Sequence, residues 1–418
     1  MIPSDTIQIN QILYDTDSLA EFHPGGPLFV ELFDGLDATE AFHTYHRRRF
    51  PHDKLKQYQT FKKSFDKPHT MDPLYEELCQ EVNRILPPHK SFAPLTYYVK
   101  AIVLWFTTIA YEVWIHAQGD YYWYHMCLLG MFFALIGLNI QHDANHGAIS
   151  KHFWVNRIFG LSQNWIGGSA LDWMHQHVVQ HHIHCNDIDH DPDITGNLLL
   201  RMNPLKPLLP HQAFQYIYLF ALLGLFGITY SCTSIGNNMM LWNHTHYSHK
   251  LHSYIDFERN LTILCGLRWI FLPAFFHKHD LWITYSQVFC LFVTGGFYLA
   301  FFFVLSHNYD GVCHCDSQNK TLGTLKKQVL TSSNVGGPWL GFINGGLNYQ
   351  IEHHLFPRIH HSHYPTIAPI VREFCHEKKI QYTHFPDIFA NIQSCLKHLH
   401  LMGTLDTPPF YYPKQKKD

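Results

Sequence analysis

The chain has 418 residues, a formal net charge of −3 and an aromatic content of 16%. The length predicts two or more structural units, and the slightly acidic balance excludes a strongly basic protein that binds nucleic acid. Histidine is unusually frequent, since 35 His stand against 30 Lys plus Arg and 33 Asp plus Glu, which favours metal or haem chemistry. The ten cysteines include no CxxC pair and indicate reduced thiols in a cytosolic setting.

The N-terminal stretch has neither the basic nor the apolar region of a cleaved secretory signal, and the alternation in TIQIN predicts a first β-strand. LYDTDSLAEFHPGGP is similar to the cytochrome b5 signature, and DGLDATEAFHTYH resembles its continuation. This resemblance implies a small α+β haem domain over residues 1–63, with His23 and His46 as axial ligands of haem b and His43 as the rival to His46. The alternative is that HPGG is only a turn with helix-terminating glycines.

The haem-domain resemblance has two departures and a boundary. The opening helix and the strand tryptophan of the family are absent, and Pro51 in HRRRFPH should break the helix after the second ligand, so the domain is predicted to be trimmed. Residues 64–93 are polar and then punctuated by proline, which predicts a linker that lets the haem domain reach the rest of the chain.

Long apolar runs predict membrane spans in the middle of the chain. Residues 94–115 and 121–140 are each about long enough to cross a bilayer and are separated by the turn-like HAQGD. Residues 261–276 and 281–305 predict a second hairpin, whose first member is short. Residues 208–242 are too many for one span and too few for two, so they are predicted to dip into the membrane or lie flat on it. Buried core helices are the alternative, but 25 uncharged residues exceed the usual globular helix.

Two hairpins would return the chain to one side of the membrane, where both termini would then lie. Residues 1–93 contain ten Lys or Arg and HAQGD contains none, which predicts that the shared side is cytosolic. The last residues, KQKKD, resemble a dilysine retrieval signal. The sequence therefore predicts a multi-pass protein of the endoplasmic reticulum with cytosolic N- and C-termini.

Three clusters of histidines follow predicted spans on this shared side. They are QHDANHG with His142 and His146, HQHVVQHH with His177, His181 and His182, and QIEHH with Gln350, His353 and His354, while His307 ends the last long span. Spacings of three and four residues place side chains on one face of a helix, and imidazole suits iron, copper, zinc and nickel. One such pair is common by chance, but three on one side indicate a metal pocket. His175, His184 and His190 are predicted to orient ligands, whereas His244 and His246 are predicted to be surface residues.

The order HDxxH, HxxxHH and QxxHH resembles the membrane fatty-acid desaturases, and the glutamine is similar to their front-end branch. NDIDHDPD and QIEHHLFPRIHHSHYPTIAPIV are also close to that branch. The resemblance implies a mainly α fold over residues 94–400, in which four transmembrane helices carry a cytosolic helical cap, followed by a tail at 401–418. It implies two non-haem iron ions, held by the three clusters and His307 with Gln350 as a further ligand.

The same resemblance implies a reaction and its partners. O2 would be the oxidant, and electrons from NADH would pass through a cytochrome b5 reductase and the haem domain to the iron ions. The product would be a cis double bond in an unsaturated fatty acyl chain, carried as acyl-CoA or phospholipid. The alternatives are a sphingolipid desaturase, an acyl-chain hydroxylase, or a membrane-anchored haem electron carrier that is not an enzyme.

Overall fold

The structure, a computed structural model, describes residues 2–47, 52–60, 72–195, 198–240, 248–314 and 322–406. The predictions for Pro51, His244, His246 and the C-terminal KQKKD lie outside these residues. Within the described residues the chain is mainly helical, with two sheets of two short strands each.

The N-terminal domain combines a β-hairpin with short helices. Its elements are β1 (Thr6–Ile9), β2 (Ile12–Asp15), α1 (Thr16–Phe22), α2 (Leu28–Glu31), α3 (Thr39–Tyr45) and α4 (His52–Leu55). The predicted first strand is confirmed, because β1 pairs antiparallel with β2 and buries Ile7 and Ile9. The Asp15 carboxylate accepts a hydrogen bond from the Ser18 backbone N–H at 2.8 Å and so caps α1, which ends immediately before His23.

The N-terminal domain shares a hydrophobic core with the rest of the chain. Buried Ile7, Ile9 and Leu28 belong to the same cluster as Leu171 and Trp173. Because this burial is continuous, separating the two parts would expose apolar surface to water. The N-terminal domain is therefore docked against the rest of the chain through this shared core.

The segment predicted as a linker, residues 64–93, contains a packed helix, α5 (Pro73–Ile85). Its buried face carries Tyr75, Leu78 and Val82 into the core of the C-terminal region. The Tyr75 hydroxyl donates to the Leu355 backbone oxygen at 2.6 Å. The structure thus corrects the prediction for residues 73–85, since their apolar side chains recur at helical spacing and find a core to fill.

Helices of membrane-spanning length form the centre of the molecule. In chain order the central elements are α6 (Leu95–Gln118), α7 (Trp123–Ile136), a π-helical segment (Gly137–Gln141), α8 (His142–Asn145), α9 (Phe153–Gly160), α10 (Ser162–Trp165), α11 (Ala170–Trp173), a second π-helical segment (Met174–His181), α12 (His182–His184), α13 (Pro192–Thr195), α14 (Gln215–Met240), α15 (His252–Phe276) and α16 (Leu281–His307). The C-terminal region adds α17 (Thr324–Leu330), β3 (Asn334–Val335), α18 (Pro338–Asn344), α19 (Gln350–Leu355), α20 (Tyr364–Glu377), β4 (His384–Phe385) and α21 (Ile388–Thr404). β3 and β4 pair in parallel.

Four helical segments in the described residues are long and apolar enough to cross a membrane. They are Pro88–Gln118, Trp123–Asn145, Pro210–Gly236 and Leu281–His307. Three of them agree with the predicted spans, but the segment around α14, which was predicted to dip or lie flat, replaces residues 261–276. The physical reason is that α15 carries Asp256, Glu258, Arg259 and Arg268, which lower its hydropathy.

α15 nevertheless pairs with α16 as the predicted second hairpin requires. The Lys278 backbone N–H, in the turn between the two helices, donates to the Gly119 oxygen at 3.2 Å. Its ammonium group lies 3.3 Å from Asp120, so the turns of both hairpins lie together. Midway along α15, Arg268 Nε donates to the Glu112 carboxylate of α6 at 2.7 Å, which pairs the buried charges between the two hairpins.

Glycine allows the close crossing of α7 and α16. A Cβ on Gly130 would lie 2.5 Å from the Leu291 oxygen and 3.0 Å from the Gly295 nitrogen. We expect Gly130→Ala to lower the thermal unfolding temperature in detergent, because pushing the backbones apart costs about 1–3 kcal/mol. Gly236→Ala is the control. Its Cβ meets no atom of the described residues within 4 Å, so it should match or raise stability by up to about 1 kcal/mol. Equal unfolding temperatures for the two variants would contradict the crossing.

Candidate metal centre and haem cavity

The predicted histidine clusters meet and sort into two groups. In the first group, His142, His146, His177 and His353 each place a ring nitrogen within 4.8 Å of the others. His182 joins them, because its Nε2 lies 3.2 Å from His177 Nε2 and 3.0 Å from His353 Nε2. One cation could therefore replace several close contacts between imidazole nitrogens.

The second group comprises His181, His307 and His354, with Cys185 beside them. The side-chain nitrogen of Gln350 lies 2.9 Å from His307 Nε2, and its amide oxygen is buried with no hydrogen-bond partner among the described residues. The Cys185 thiol lies 3.3 Å from His307 Nδ1, on the ring edge away from Gln350. The ring of His182 stacks on that of His354 at 4.3 Å between centroids, so the two groups are adjacent.

A π-helical turn decides which histidine enters which group. The α-helical spacing predicts that His177 and His181 share a face, and their rings stack at 5.3 Å between centroids, although Met174–His181 is π-helical. In a π-helix the hydrogen bonds join residues five apart, which brings His177 to His182 and directs His181 into the second group. The first cluster behaves as predicted, since the rings of His142 and His146 lie 4.8 Å apart.

Five of the histidines are held by their Nδ1 atoms from outside the two groups. His181 Nδ1 lies 3.1 Å from the Asp191 carboxylate and His307 Nδ1 lies 2.9 Å from the Thr331 oxygen. The other three contacts are His146 with the Tyr45 hydroxyl at 2.8 Å, His353 with the Tyr364 hydroxyl at 3.1 Å, and His354 with the Gln328 oxygen at 3.0 Å. Such contacts fix the ring orientation and leave Nε2 for a metal.

Burial sets the charge of these rings. Outside the spanning segments, burial lowers the pKa of His146, His177, His182, His353 and His354 well below the ordinary value. They are therefore neutral imidazoles, the form that binds metals. His181 differs, because although burial opposes its charge, Asp191 and Asp193 raise its pKa to about 9. The carboxylates favour positive charge at this point, as a bound cation would supply.

The residues fit two metal ions on their own chemistry. Buried nitrogens of His142, His146 and His354 find no hydrogen-bond partner among the described residues, and an unpaired buried polar atom is costly unless a ligand satisfies it. Imidazole nitrogens with one amide oxygen are suitable ligands for iron.

A second cavity surrounds His23 and His46 in the N-terminal domain. Its lining is mostly apolar and includes Phe29, Phe42 and Tyr45, as is usual for a cofactor site. The two rings lie 5.9 Å apart between centroids. Their Nδ1 atoms donate to backbone oxygens, His23 to Gly26 at 2.9 Å and His46 to Phe42 at 2.8 Å. Each ring thus keeps Nε2 for a metal between them, which fits haem with two axial imidazoles.

His43, the rival to His46, lies elsewhere. Its Nε2 lies 2.9 Å from the Asn10 side-chain oxygen, and His43 is not among the residues that line the cavity. Glycine is required next to His23, since a Cβ on Gly25 would lie 2.9 Å from the imidazole Cε1. This contact explains the glycine that follows HP in the sequence.

Several contributing residues were missed by sequence reasoning or differ from it. His184 and His190 stack on each other at 4.7 Å and lie near Asp187, whereas the carboxylate that contacts His181 is Asp191. Asp191 lies in the stretch NDIDHDPD. The local sequence does not show that its carboxylate contacts His181. Tyr45 and Gln328 approach their histidines from distant parts of the chain, which no local pattern signals.

Two family models match the chain. Residues 121–386 match the family described as "Fatty acid desaturase", and residues 6–63 match "Cytochrome b5-like Heme/Steroid binding domain". The chain is 40% identical to the acyl-lipid (7-3)-desaturase of Diacronema lutheri over 96% of this chain and 91% of that protein. It is also 40% identical to the acyl-lipid (7-3)-desaturase of Rebecca salina, with the same two coverages. The chloroplastic acyl-lipid (7-3)-desaturase of Chlamydomonas reinhardtii is 32% identical over 95% of this chain and 80% of that protein.

The cytochrome b5-like domain implies haem, and the desaturase family implies two iron ions, which the two histidine groups fit. Desaturases are oxidoreductases, and the candidate spans agree with a membrane protein. The chain belongs to the fatty acid desaturase family, and a cytochrome b5-like domain precedes its desaturase domain.

Proposed function

We propose that this protein is a front-end acyl-lipid desaturase that introduces a cis double bond into an already unsaturated acyl chain. The observation that carries the proposal is the pair of adjacent histidine groups, one of which includes Gln350, beside a cavity with two opposed histidines. We extend the acyl-lipid (7-3)-desaturase activity of the three relatives to this chain. An acyl group on a phospholipid is then the substrate, in preference to acyl-CoA.

The histidines, with Gln350 as an additional ligand, would hold the two iron ions. Iron held there would supply the activation of O2, which would take two hydrogens from neighbouring methylenes, two electrons that originate from NADH and two protons, and would leave as two waters. Asp191, Tyr364 and Gln328 keep the rings oriented through Nδ1. Gln350 offers an amide in place of an imidazole, a weaker neutral ligand that tunes the site.

His23 and His46 would hold haem b as the electron relay. Tyr45 adjoins His46 in the chain and lines the haem cavity, while its hydroxyl contacts His146 of the first group. Burial raises the pKa of Tyr45, so the phenol stays neutral. Tyr45 therefore lies between the haem cavity and the first histidine group. This short separation suits the transfer of single electrons from haem to iron. A cytochrome b5 reductase that uses NADH is the proposed partner.

We propose the endoplasmic reticulum membrane as the location, with both termini on the cytosolic side. The two hairpin turns meet at one end of the bundle through Lys278 and Gly119. The histidine groups lie at the opposite ends of α7 and α16. This arrangement supports a site at the cytosolic ends of the spans, where a reductase can reach the haem domain.

The substrate proposal is tested by feeding fatty acids to a host that lacks the enzyme and expresses this chain. We expect new double bonds in polyunsaturated acyl chains of phospholipids, on the carboxyl side of an existing double bond, located by mass spectrometry. Desaturation of saturated chains alone would contradict the front-end assignment. A new double bond in sphingoid bases, or a hydroxyl group in place of a double bond, would support the alternative activities instead.

A further inference from the structure

The haem cavity is closed by both parts of the chain. His23, Phe42 and His46 belong to the N-terminal domain. The part of its wall that comes from the desaturase domain consists of His146, Gly147, Asn156, Val178 and Arg358. The N-terminal domain alone would therefore leave one side of the cavity open to solvent.

The haem domain and the desaturase domain pack closely against each other at this wall. Gly26 has a φ of 93°, and a Cβ there would overlap the ring of Phe153 in the desaturase domain. A Cβ on Gly147 would in turn lie 3.1 Å from the Phe29 ring of the haem domain. The desaturase side thus covers this part of the haem cavity.

Arg358 gives this wall a specific chemistry. Among the described residues that line the cavity it alone carries a permanent charge, and none of them is an aspartate or a glutamate. Its guanidinium carbon lies 5.6 Å from the centre of the Phe92 ring, which steadies the side chain. His23 lines the same cavity, so the guanidinium and this proposed haem ligand face one space.

Haem b carries two propionate carboxylates on one edge of the ring. A guanidinium matches a carboxylate in shape and can donate two parallel hydrogen bonds to it. We propose that Arg358 binds a haem propionate, so that the desaturase domain completes the haem site. This inference rests on the proposed haem ligation by His23 and His46.

The arrangement ties the haem to the iron site. Arg358 follows His354 by four residues in the same stretch, HHLFPR. The contact therefore connects one edge of the haem to the segment that carries two candidate iron ligands. Haem retention becomes a property of the whole chain and not of the N-terminal domain alone.

The test measures haem loss from the full-length protein. Wild type, Arg358→Gln and Arg358→Lys are purified, loaded with haem and mixed with excess apomyoglobin, and the transfer of haem is followed by absorbance. We expect Arg358→Gln to lose haem roughly ten-fold faster, as for one charge-assisted hydrogen bond at a partly exposed site. Arg358→Lys should fall between the two, because it keeps the charge without the fork. Arg372→Gln, on the exposed face of α20, is the matched control and should lose haem at the wild-type rate.

Loading with haem dimethyl ester removes the carboxylates from the cofactor. With this ester, wild type and Arg358→Gln should lose the cofactor at equal rates. Equal rates with ordinary haem would overturn the proposal, and so would a difference that persists with the ester. If wild type shows no bis-histidine spectrum, the haem ligation itself fails and this proposal with it, which separates the two failures. Absence of desaturated product leaves the haem-loss result unaffected.

Discussion

His353→Ala should reduce the desaturated product by more than about 100-fold and lower the iron content of the purified protein. His353 lies at the centre of the first group, 3.0 Å from His182 Nε2 and with its ring 4.5 Å from that of His142. Outer contacts of metal ligands are already worth about 10–100-fold, so loss of a ligand should cost more. Product is measured by mass spectrometry of host lipids, and iron by elemental analysis.

Two further variants calibrate this result. His376→Ala is the matched control, because His376 is exposed on α20 in the same domain. It should keep full activity and both iron ions. Gln350→Ala should lose about 10–100-fold, as expected for a supporting contact, and Gln350→His should retain more activity. Wild-type activity of His353→Ala would disprove its assignment as a ligand.

The sequence predicts which residues approach the metal centre but not how they divide. Spacings of three and four residues identify the clusters because those intervals bring side chains onto one α-helical face. They do not reveal that His177 and His181 belong to different groups, since the segment that carries them is π-helical and joins residues five apart. The two-group arrangement emerges only when α7, α16 and α19 are brought together in three dimensions.

The residues that orient the ligands were also beyond sequence reasoning. Asp191 lies ten residues after His181, whereas Tyr45 lies 101 residues before His146. Contacts between such distant segments depend on docking of the haem domain, which no local spacing encodes. Similarly, polar and proline-rich composition predicted a linker where α5 packs into the core, because burial of Tyr75 and Leu78 is set by tertiary partners.

The membrane spans show a different limit. Uncharged length predicts α6, α7 and α16 well, since a span of about 20 apolar residues is a strong signal. It passes over the segment around α14, because residues 208–242 are too many for one span, and selects α15, whose charges are paired inside the protein, as Arg268 with Glu112 and Glu258 with Arg157. Pairing lowers the cost of burying charge, and hydropathy does not register it.

His46→Gln should abolish the bis-histidine haem spectrum, whereas His43→Gln should preserve it. Both histidines lie in the stretch HTYH, but of the two only His46 faces His23. The His46 Nδ1 atom donates to the Phe42 backbone oxygen. The His43 side chain instead contacts Asn10, a contact that glutamine can replace with its amide N–H.

The measurement is the reduced-minus-oxidised absorbance spectrum of the full-length protein, which is cleaner than activity because a cytochrome b5 of the host can substitute as donor. Glutamine is a poor axial ligand compared with imidazole, so loss should be nearly complete at position 46. An unchanged spectrum in His46→Gln, or its loss in a folded His43→Gln, would reverse the assignment of the second axial ligand.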